Sequence, residues 1–379
     1  RARGGGILPQ MNQADRLAFL KTYYESENKD YIGSYLDINK DVMVIQDCSA
    51  GSNASTVLVM KDNGDLYYRK YAFNQDGEKL EEQIQWIEEH QTDIPLPIIA
   101  SKRHVKNFVT YDMHSYANTL SFFRFVHSVT TDVSWRLLER VLDDIRSKLH
   151  SKHTREVEAA ALNRYIVDKI EKNLRLITSE NKFIKTLEQN DVIVVNGKTL
   201  HSLSYYKAMF RRAALRTVFE KDKYSDIHGD LTVENIVCLP GDIKIDSSEY
   251  TGKVKPKDYY LIDPNTGNIH ESPFLDYAKL LQSLHGGYEF LSIVTSVIIT
   301  KNEISYMATK SEAYSRLYEN YRDYLRRKFS DQELLSIYYH EIVHWLRLMP
   351  YKIRKDERLA VVFYSGLLNV VKDVREMQK

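Results

Sequence analysis

The stretch from Ile227 to Leu284 constrains this chain more than any other. It reads I-H-G-D-L-T-V-E-N-I-V, then a polar interval, then Y-Y-L-I-D-P, and then F-L-D-Y-A-K-L-L. The apolar runs beside the polar groups have the length and composition of short strands. Asp230 can accept a proton, and Asn235 and Asp263 each offer a hard oxygen of the kind Mg²⁺ takes. One amide and one carboxylate suffice, because Mg²⁺ keeps several of its waters. A proton acceptor and an amide on one loop, met by a carboxylate from an adjacent strand, match what phosphoryl transfer from a nucleotide to a hydroxyl needs. Isolated H-x-D or I-D-P matches are common by chance, but an ordered set with an apolar run before each member is not. The competing reading makes Asp230 a helix cap and Asp263-Pro264-Asn265-Thr266-Gly267 a plain turn, and must treat that order as coincidence.

With those residues in place, a resemblance follows. His228-Gly229-Asp230 with Asn235, then Ile262-Asp263-Pro264 and Asp276, resembles the catalytic core of the aminoglycoside phosphotransferase and choline kinase group. The likeness is strongest over residues 225–290 and fainter over the first hundred. It implies an α+β chain with a two-lobed protein-kinase-like fold, a small β-rich N-lobe over 11–113 and a large, mainly helical C-lobe over 114–379. It further implies Mg²⁺-dependent transfer of a γ-phosphoryl group from ATP or GTP to a hydroxyl of a sugar, aminocyclitol or choline-like alcohol. Asp230 would then be the base and Asn235 and Asp263 the metal ligands. His228 would brace the loop, and Asp276, opening a helix over 277–283, would accept backbone N–H groups. Asp263-Pro264-Asn265 replaces the D-F-G of protein kinases and no A-P-E follows, so a small-molecule acceptor is expected over a protein.

Composition narrows the alternatives. A chain of 379 residues can bury a large core and suggests about two domains. Lys plus Arg number 53 against 52 Asp plus Glu, so no overall charge draws the protein to nucleic acid or anionic lipid. No apolar run is long enough to span a membrane. Cys48 and Cys238 have no metal spacing and no framework of partners, which fits a reducing cytoplasm. Residues 1–10 lack the apolar centre of a signal peptide and read as a cloning remnant before Met11.

A helix is expected from Asn12 to about Glu25, followed by strands at V-M-V-I-Q-D-C, T-V-L-V-M-K and D-L-Y-Y-R-K-Y-A-F, with Asp62-Asn63-Gly64 as a hairpin turn. The small residues between the first two strands, including Ser49, Gly51, Ser52 and Asn53, would cover the nucleotide phosphates, though only one glycine is present. Lys70 and Arg69 compete as the phosphate contact. Alternation puts Leu66, Tyr68 and Lys70 on one face and Tyr67, Arg69 and Tyr71 on the other, and the family's lysine stands just before its strand ends, which favours Lys70. A helix from Glu78 to about His90 has Leu80, Ile84 and Ile87 as its buried stripe. Glu81 borders that stripe and is the preferred carboxylate for Lys70, with Glu78 and Glu82 as alternatives. Ile94–Ile99 reads as an edge strand because of its prolines. The strand V-K-N-F-V-T-Y-D-M then leads to a hinge where backbone at Tyr111, Asp112 and Met113 would meet the adenine edge.

From Thr119 the pattern is mainly helical, with a small hairpin over Asp191–Lys198 before a helix from Ser202 to Glu220. Residues 179–200 and 239–258 read as insertions, the second as a projecting hairpin. His340-Glu341-Ile342-Val343-His344 is a literal H-E-x-x-H, the signature of many zinc hydrolases. Ile337 and Leu348 share its face and no histidine follows, so the inward face of a packed helix is the preferred reading. Tyr288, Glu289 and Glu341 are named as residues that could hold a cationic acceptor. A nucleotide-binding pseudokinase and a zinc metallohydrolase are the alternative functions.

Overall fold

A computed structural model describes residues 29–49, 54–105, 107–241 and 245–378. The chain divides into two compact units, one running up to Leu120 and taking in Val237–Gly267, the other holding Ser121–Ile236 and Asn268–Lys379. The expected helix at Asn12–Glu25 lies outside the described residues.

The first unit is built on a five-stranded antiparallel sheet. Helix α1 (Lys29–Asn39) precedes β1 (Val42–Asp47), β2 (Ser55–Lys61) and β3 (Leu66–Phe73). Helix α2 (Gln75–His90) then leads to the hairpin β4 (Ile99–Val105) and β5 (Phe108–His114), and the order across the sheet is β1-β2-β3-β5-β4. The β2–β3 turn forms where Asn63-Gly64 stands: Gly64 has φ +86°, and the Asp65 N–H donates to Asn63 Oδ1. Tyr67 and Tyr71 of one β3 face pack with Tyr35, Ile38, Val44, Val57, Val59 and Phe108 into one apolar cluster. A second cluster gathers Ile98, Leu239, Ile245, Tyr250 and Tyr260.

Two expectations change here. The edge strand begins at Ile99 and not Ile94, because Pro95 and Pro97 donate nothing to a ladder. Their carbonyls instead accept from the Leu261 N–H and from Gln91 Nε2. Residues 239–258 contain no strand pair among their described residues. Ile245 and Tyr250 are apolar enough to turn inward, and the segment closes through the Leu239 N–H to the Asp258 carbonyl and the Val254 N–H to that of Gln91.

The second unit is mainly helical. Helices α3 (Phe274–Leu284), α4 (Asp331–Lys355) and α5 (Ala360–Met377) form its packed centre around Trp345, which is fully buried. A full capping box, Ser330 with Glu333, starts α4. Gly286 and Gly366 permit the close packing: a Cβ on Gly286 would lie 2.4 Å from the Trp345 ring, and one on Gly366 2.8 Å from Leu291. The expected hairpin forms as β6 (Val192–Val195) and β7 (Lys198–His201), turned by Asn196-Gly197 at positive φ. It joins β8 (Ile298–Thr300) and β9 (Glu303–Ser305) in a four-stranded sheet. Only Arg212–Phe219 of the expected helix from Ser202 is α-helical, after a 3-10 turn at Leu203–Tyr206.

Candidate active-site residues

Alternation along β3 sets the first group. Arg69 points to the α1 side, where its guanidinium forms a two-pronged bond to Asp112 (Nε–Oδ1 2.7 Å, Nη2–Oδ2 2.9 Å) and Nη1 donates to the Ile38 carbonyl. Ser101 Oγ donates to the same carboxylate. Burial alone would raise the Asp112 pKa, but the Arg69 guanidinium outweighs it and holds the carboxyl below its usual range. Lys70 points the other way. Its Nζ lies 2.8 Å from Asp263 Oδ1 and 3.0 Å from Gln83 Oε1.

Lys70 therefore does not pair with Glu81, which binds His104 at 2.6 Å instead. Glu78 is exposed and Glu82 accepts from Thr266 Oγ1. The helical arithmetic explains the outcome. Measured from the centre of the Leu80, Ile84 and Ile87 stripe, Gln83 lies about 65° away and Glu81 about 95° away on the other side. The better-placed side chain is an amide and not an acid. Gln83 is held on all sides: Oε1 also accepts from Tyr111 Oη at 3.2 Å, and Nε2 donates to the Pro264 carbonyl at 2.6 Å. Tyr111 is buried, and burial together with the Asp263 charge pushes its phenol well above its usual pKa.

Asp263 follows the strand Tyr259–Leu261 and has φ +57°, a conformation few residues other than glycine adopt, made more unusual by the proline after it. Such strain persists where the surroundings hold it, here through Lys70 and the bond from Gln83 to Pro264. The Asp263 side chain is 38% exposed, so its carboxylate keeps an open edge.

The hinge expectation is corrected. Strand β5 is interior: Tyr111 faces Lys70 on β3 and Lys102 on β4, and Met113 faces Tyr68 and Ile99. Backbone from 111 to 113 thus has sheet neighbours on both sides and offers no free edge to a base. Ser49 closes the neck of its loop, its Oγ accepting from the Thr56 N–H at 3.0 Å. Gly51, Ser52 and Asn53 lie outside the described residues.

The second group is carried by the loop between Ile227 and the strand Ile236–Cys238. Asp276, on α3 and fully buried, accepts from the backbone N–H of His228 (2.9 Å) and of Gly229 (2.7 Å) and from His150 Nε2 (2.9 Å). Gly229, at φ +77°, turns the chain so that both N–H groups reach one carboxylate. His228 is buried and its Nδ1 lies 3.4 Å from the Asp230 N–H. Asp230 is partly exposed. Its Oδ1 is 3.1 Å from Lys279 Nζ, one helical turn after Asp276. Burial pushes the Asp230 pKa up, yet the Lys279 ammonium more than offsets it, with smaller help from His228 and Arg347, and the carboxyl stays below its usual range. Asn235 Nδ2 donates to the Asp230 carbonyl at 2.8 Å. With its nitrogen so committed, the amide presents Oδ1, which accepts no hydrogen bond among the described residues.

The H-E-x-x-H residues form no shared metal site. His340 Nε2 donates to Asp222 Oδ2 at 2.8 Å and its Nδ1 accepts from Tyr165, whereas His344 Nε2 is directed at the Leu275 carbonyl. Among the described residues, one group has the spacing of metal ligands: Asp222, His270 and His340. Its atoms already satisfy one another. His270 Nε2 also bonds Asp222, Tyr224 caps His270 Nδ1, and Ser336 donates to Asp222 Oδ1. The acceptor residues named from sequence are likewise absorbed internally. Glu341 is fully buried against His285, Glu289 accepts from Ser283 and Tyr314, and Tyr288 lies under the Lys352 ammonium. An acid unable to reach water needs internal donors. Both Glu289 oxygens have them, whereas Glu341 is bonded through Oε2 to His285 and its buried Oε1 accepts no hydrogen bond among the described residues.

No protein-family model and no curated protein matches the sequence. Solved structures do. The chain is similar to aminoglycoside phosphotransferase APH(4)-Ia, with a TM-score of 0.51 at 9% identity, covering 89% of this chain and 96% of that one. A thermostable mutant of that protein, in a ternary complex with AMP-PNP and hygromycin B, gives a TM-score of 0.51 at 11% identity over 91% and 98%. Choline kinase LicA from Streptococcus pneumoniae aligns over 92% of this chain and 100% of its own at 13% identity, with a TM-score of 0.45. The chain has the α+β kinase-like fold of the phosphotransferase.

Proposed function

We propose that this protein is a phosphotransferase that moves the γ-phosphoryl group of ATP to a hydroxyl of a small molecule. The observation that carries the reading is the Asp230 loop. Its carboxylate is kept ionised by Lys279, its neighbouring amide exposes a free oxygen, and its backbone is pinned by Asp276. Asp230 would orient the acceptor hydroxyl and take its proton, a task that needs only an ionised, well-placed carboxylate. Lys70 would bind the nucleotide phosphates. Asn235 Oδ1 and the open edge of Asp263 are the oxygens that suit Mg²⁺, which when bound neutralises charge on the phosphates. Positioning and charge neutralisation supply most of the rate in such transfers, and no side chain need become covalently modified.

The test is ADP release by the full chain with ATP and Mg²⁺ over a panel of alcohols. Asp230→Asn should lower turnover by roughly a hundredfold to ten-thousandfold while a fluorescent ATP analogue still binds. Turnover unaffected by Asp230→Asn would remove the basis of the assignment, and nucleotide binding with no turnover on any acceptor would favour a pseudokinase.

A further inference from the structure

The second unit has a cavity of about 440 Å³ whose walls are dominated by one sign of charge. Lys169, Lys172, Lys279, Arg347 and Arg354 line it, and the single carboxylate among the lining residues is Asp168. Lys279 joins this cavity to the loop described above, because its ammonium is the group 3.1 Å from Asp230. Arg347 also contributes to holding the Asp230 carboxyl below its usual range.

Of these cations only Lys279 is ion-paired among the described residues, to Asp230. Among the described residues, no carboxylate lies within ion-pair distance of Lys169, Lys172, Arg347 or Arg354. The nearby Glu171 is taken by Arg212 in a two-pronged bond. Their mutual repulsion leaves a mark: burial, then Arg347, depress the Lys169 pKa, with Asp168 opposing. His344, at the same wall, is held neutral by burial with Lys279 and Arg347 adding to the effect. Concentrating these cations around a cavity whose lining holds a single carboxylate, Asp168, costs folding free energy, and a bound anion would relieve it.

Resting on the phosphotransferase reading, we infer that the acceptor alcohol carries an anionic group, a phosphate or a carboxylate, which this cavity binds through Arg347, Arg354 and Lys172. Guanidinium groups suit either anion, since their paired N–H donors match two oxygens of one group. A cationic acceptor would meet five like charges and one carboxylate in this lining. Glu289 and Glu341, the acids that could hold such a cation, are buried and do not line this cavity.

The experiment compares matched alcohols as acceptors by ADP release: a hexose, its amino derivative and its monophosphate, and glycerol against glycerate and glycerol phosphate. At least one anionic member should exceed its neutral and aminated counterparts by tenfold or more in kcat/KM. Arg347→Glu should raise KM for that acceptor at least tenfold with a smaller change in kcat, and Arg347→Lys should restore most of the loss. A preference for the aminated or neutral members overturns the inference and leaves the phosphotransferase reading standing. Should no acceptor be turned over, calorimetric titration of hexose phosphate and of glycerate into the wild type and Arg347→Gln decides. Binding weakened tenfold by the substitution supports an anion site that is not a kinase acceptor site. Absent binding, or binding indifferent to Arg347, overturns it.

Discussion

Replacing Asp276 by alanine tests the bond pattern that holds the Asp230 loop. The wild-type carboxylate is fully buried and accepts three hydrogen bonds of 2.7–2.9 Å, two of them from consecutive backbone N–H groups. Each such bond to an ionised acceptor contributes about 1.5–3 kcal/mol, and each backbone donor left orphaned in the interior costs about 1–3 kcal/mol. The effects overlap because the loop can relax and admit water, so the sum is an upper limit. A net loss of about 3–5 kcal/mol is expected, in line with removing one partner of a buried charged pair. Asp276→Asn should cost less, about 2–3 kcal/mol, since one oxygen remains but an N–H₂ group now faces a donor. Urea unfolding followed by tryptophan fluorescence reads the global change, and amide exchange at His228 and Gly229 reads the local one. A loss below about 1 kcal/mol, or unchanged protection of those two amides, would show that Asp276 does not anchor the loop.

Two further outcomes concern protons. Burial raises the Asp230 pKa and Lys279 is the main group holding it below its usual range, so Lys279→Met leaves only the smaller effects of His228 and Arg347 against burial and the pKa rises. The acidic limb of the kcat/KM–pH profile should then move to higher pH, and a limb that stays in place or moves down would contradict this role. His285 is the opposite case: burial disfavours its charge, but Glu341 and Asp373 raise its pKa from 6.5 to about 9. A raised folded-state pKa gives stability that is complete below about pH 6.5 and lost as pH climbs through 9, here about 3 kcal/mol. Denaturation midpoints of the wild type should fall over that window, and His285→Phe should abolish the fall; an equal slope in both proteins would refute it.

What could be read in the sequence was local. Strand alternation separated Lys70 from Arg69, and Asn63-Gly64 and Asn196-Gly197 placed two hairpins. The hairpin expected over 239–258, however, did not form among the described residues, and the helix expected from 277 begins at Phe274, which puts Asp276 inside its first turn. Asp276 and Lys279 are three residues apart in F-L-D-Y-A-K, so their common helical face was legible, but the carboxylate that Lys279 meets was not. Gln83 was missed because only acids were considered for Lys70, although the same stripe arithmetic favoured it. Sheet order was out of reach. That β5 lies between β3 and β4 depends on pairings no local pattern encodes, and it removed the free backbone expected at 111–113. The partners of Glu341 and Glu289 are likewise distant in sequence or ambiguous in pattern, and burial converted apparent surface acids into internal ones.

An amide opposite Lys70 changes what helix α2 can control. A carboxylate in that place would bind the ammonium by Coulomb attraction, and rotating the helix away would switch the site off by stranding a charge. Gln83 is neutral, so displacing α2 would forfeit two hydrogen bonds accepted by its oxygen and one donated by its nitrogen but no ionic attraction. Among the described residues the lysine's one anionic contact is Asp263, the same group proposed to hold the metal. Under the proposed function, a divalent cation that draws the Asp263 carboxylate away would leave the Lys70 charge to the nucleotide phosphates, linking the two events without any helix movement.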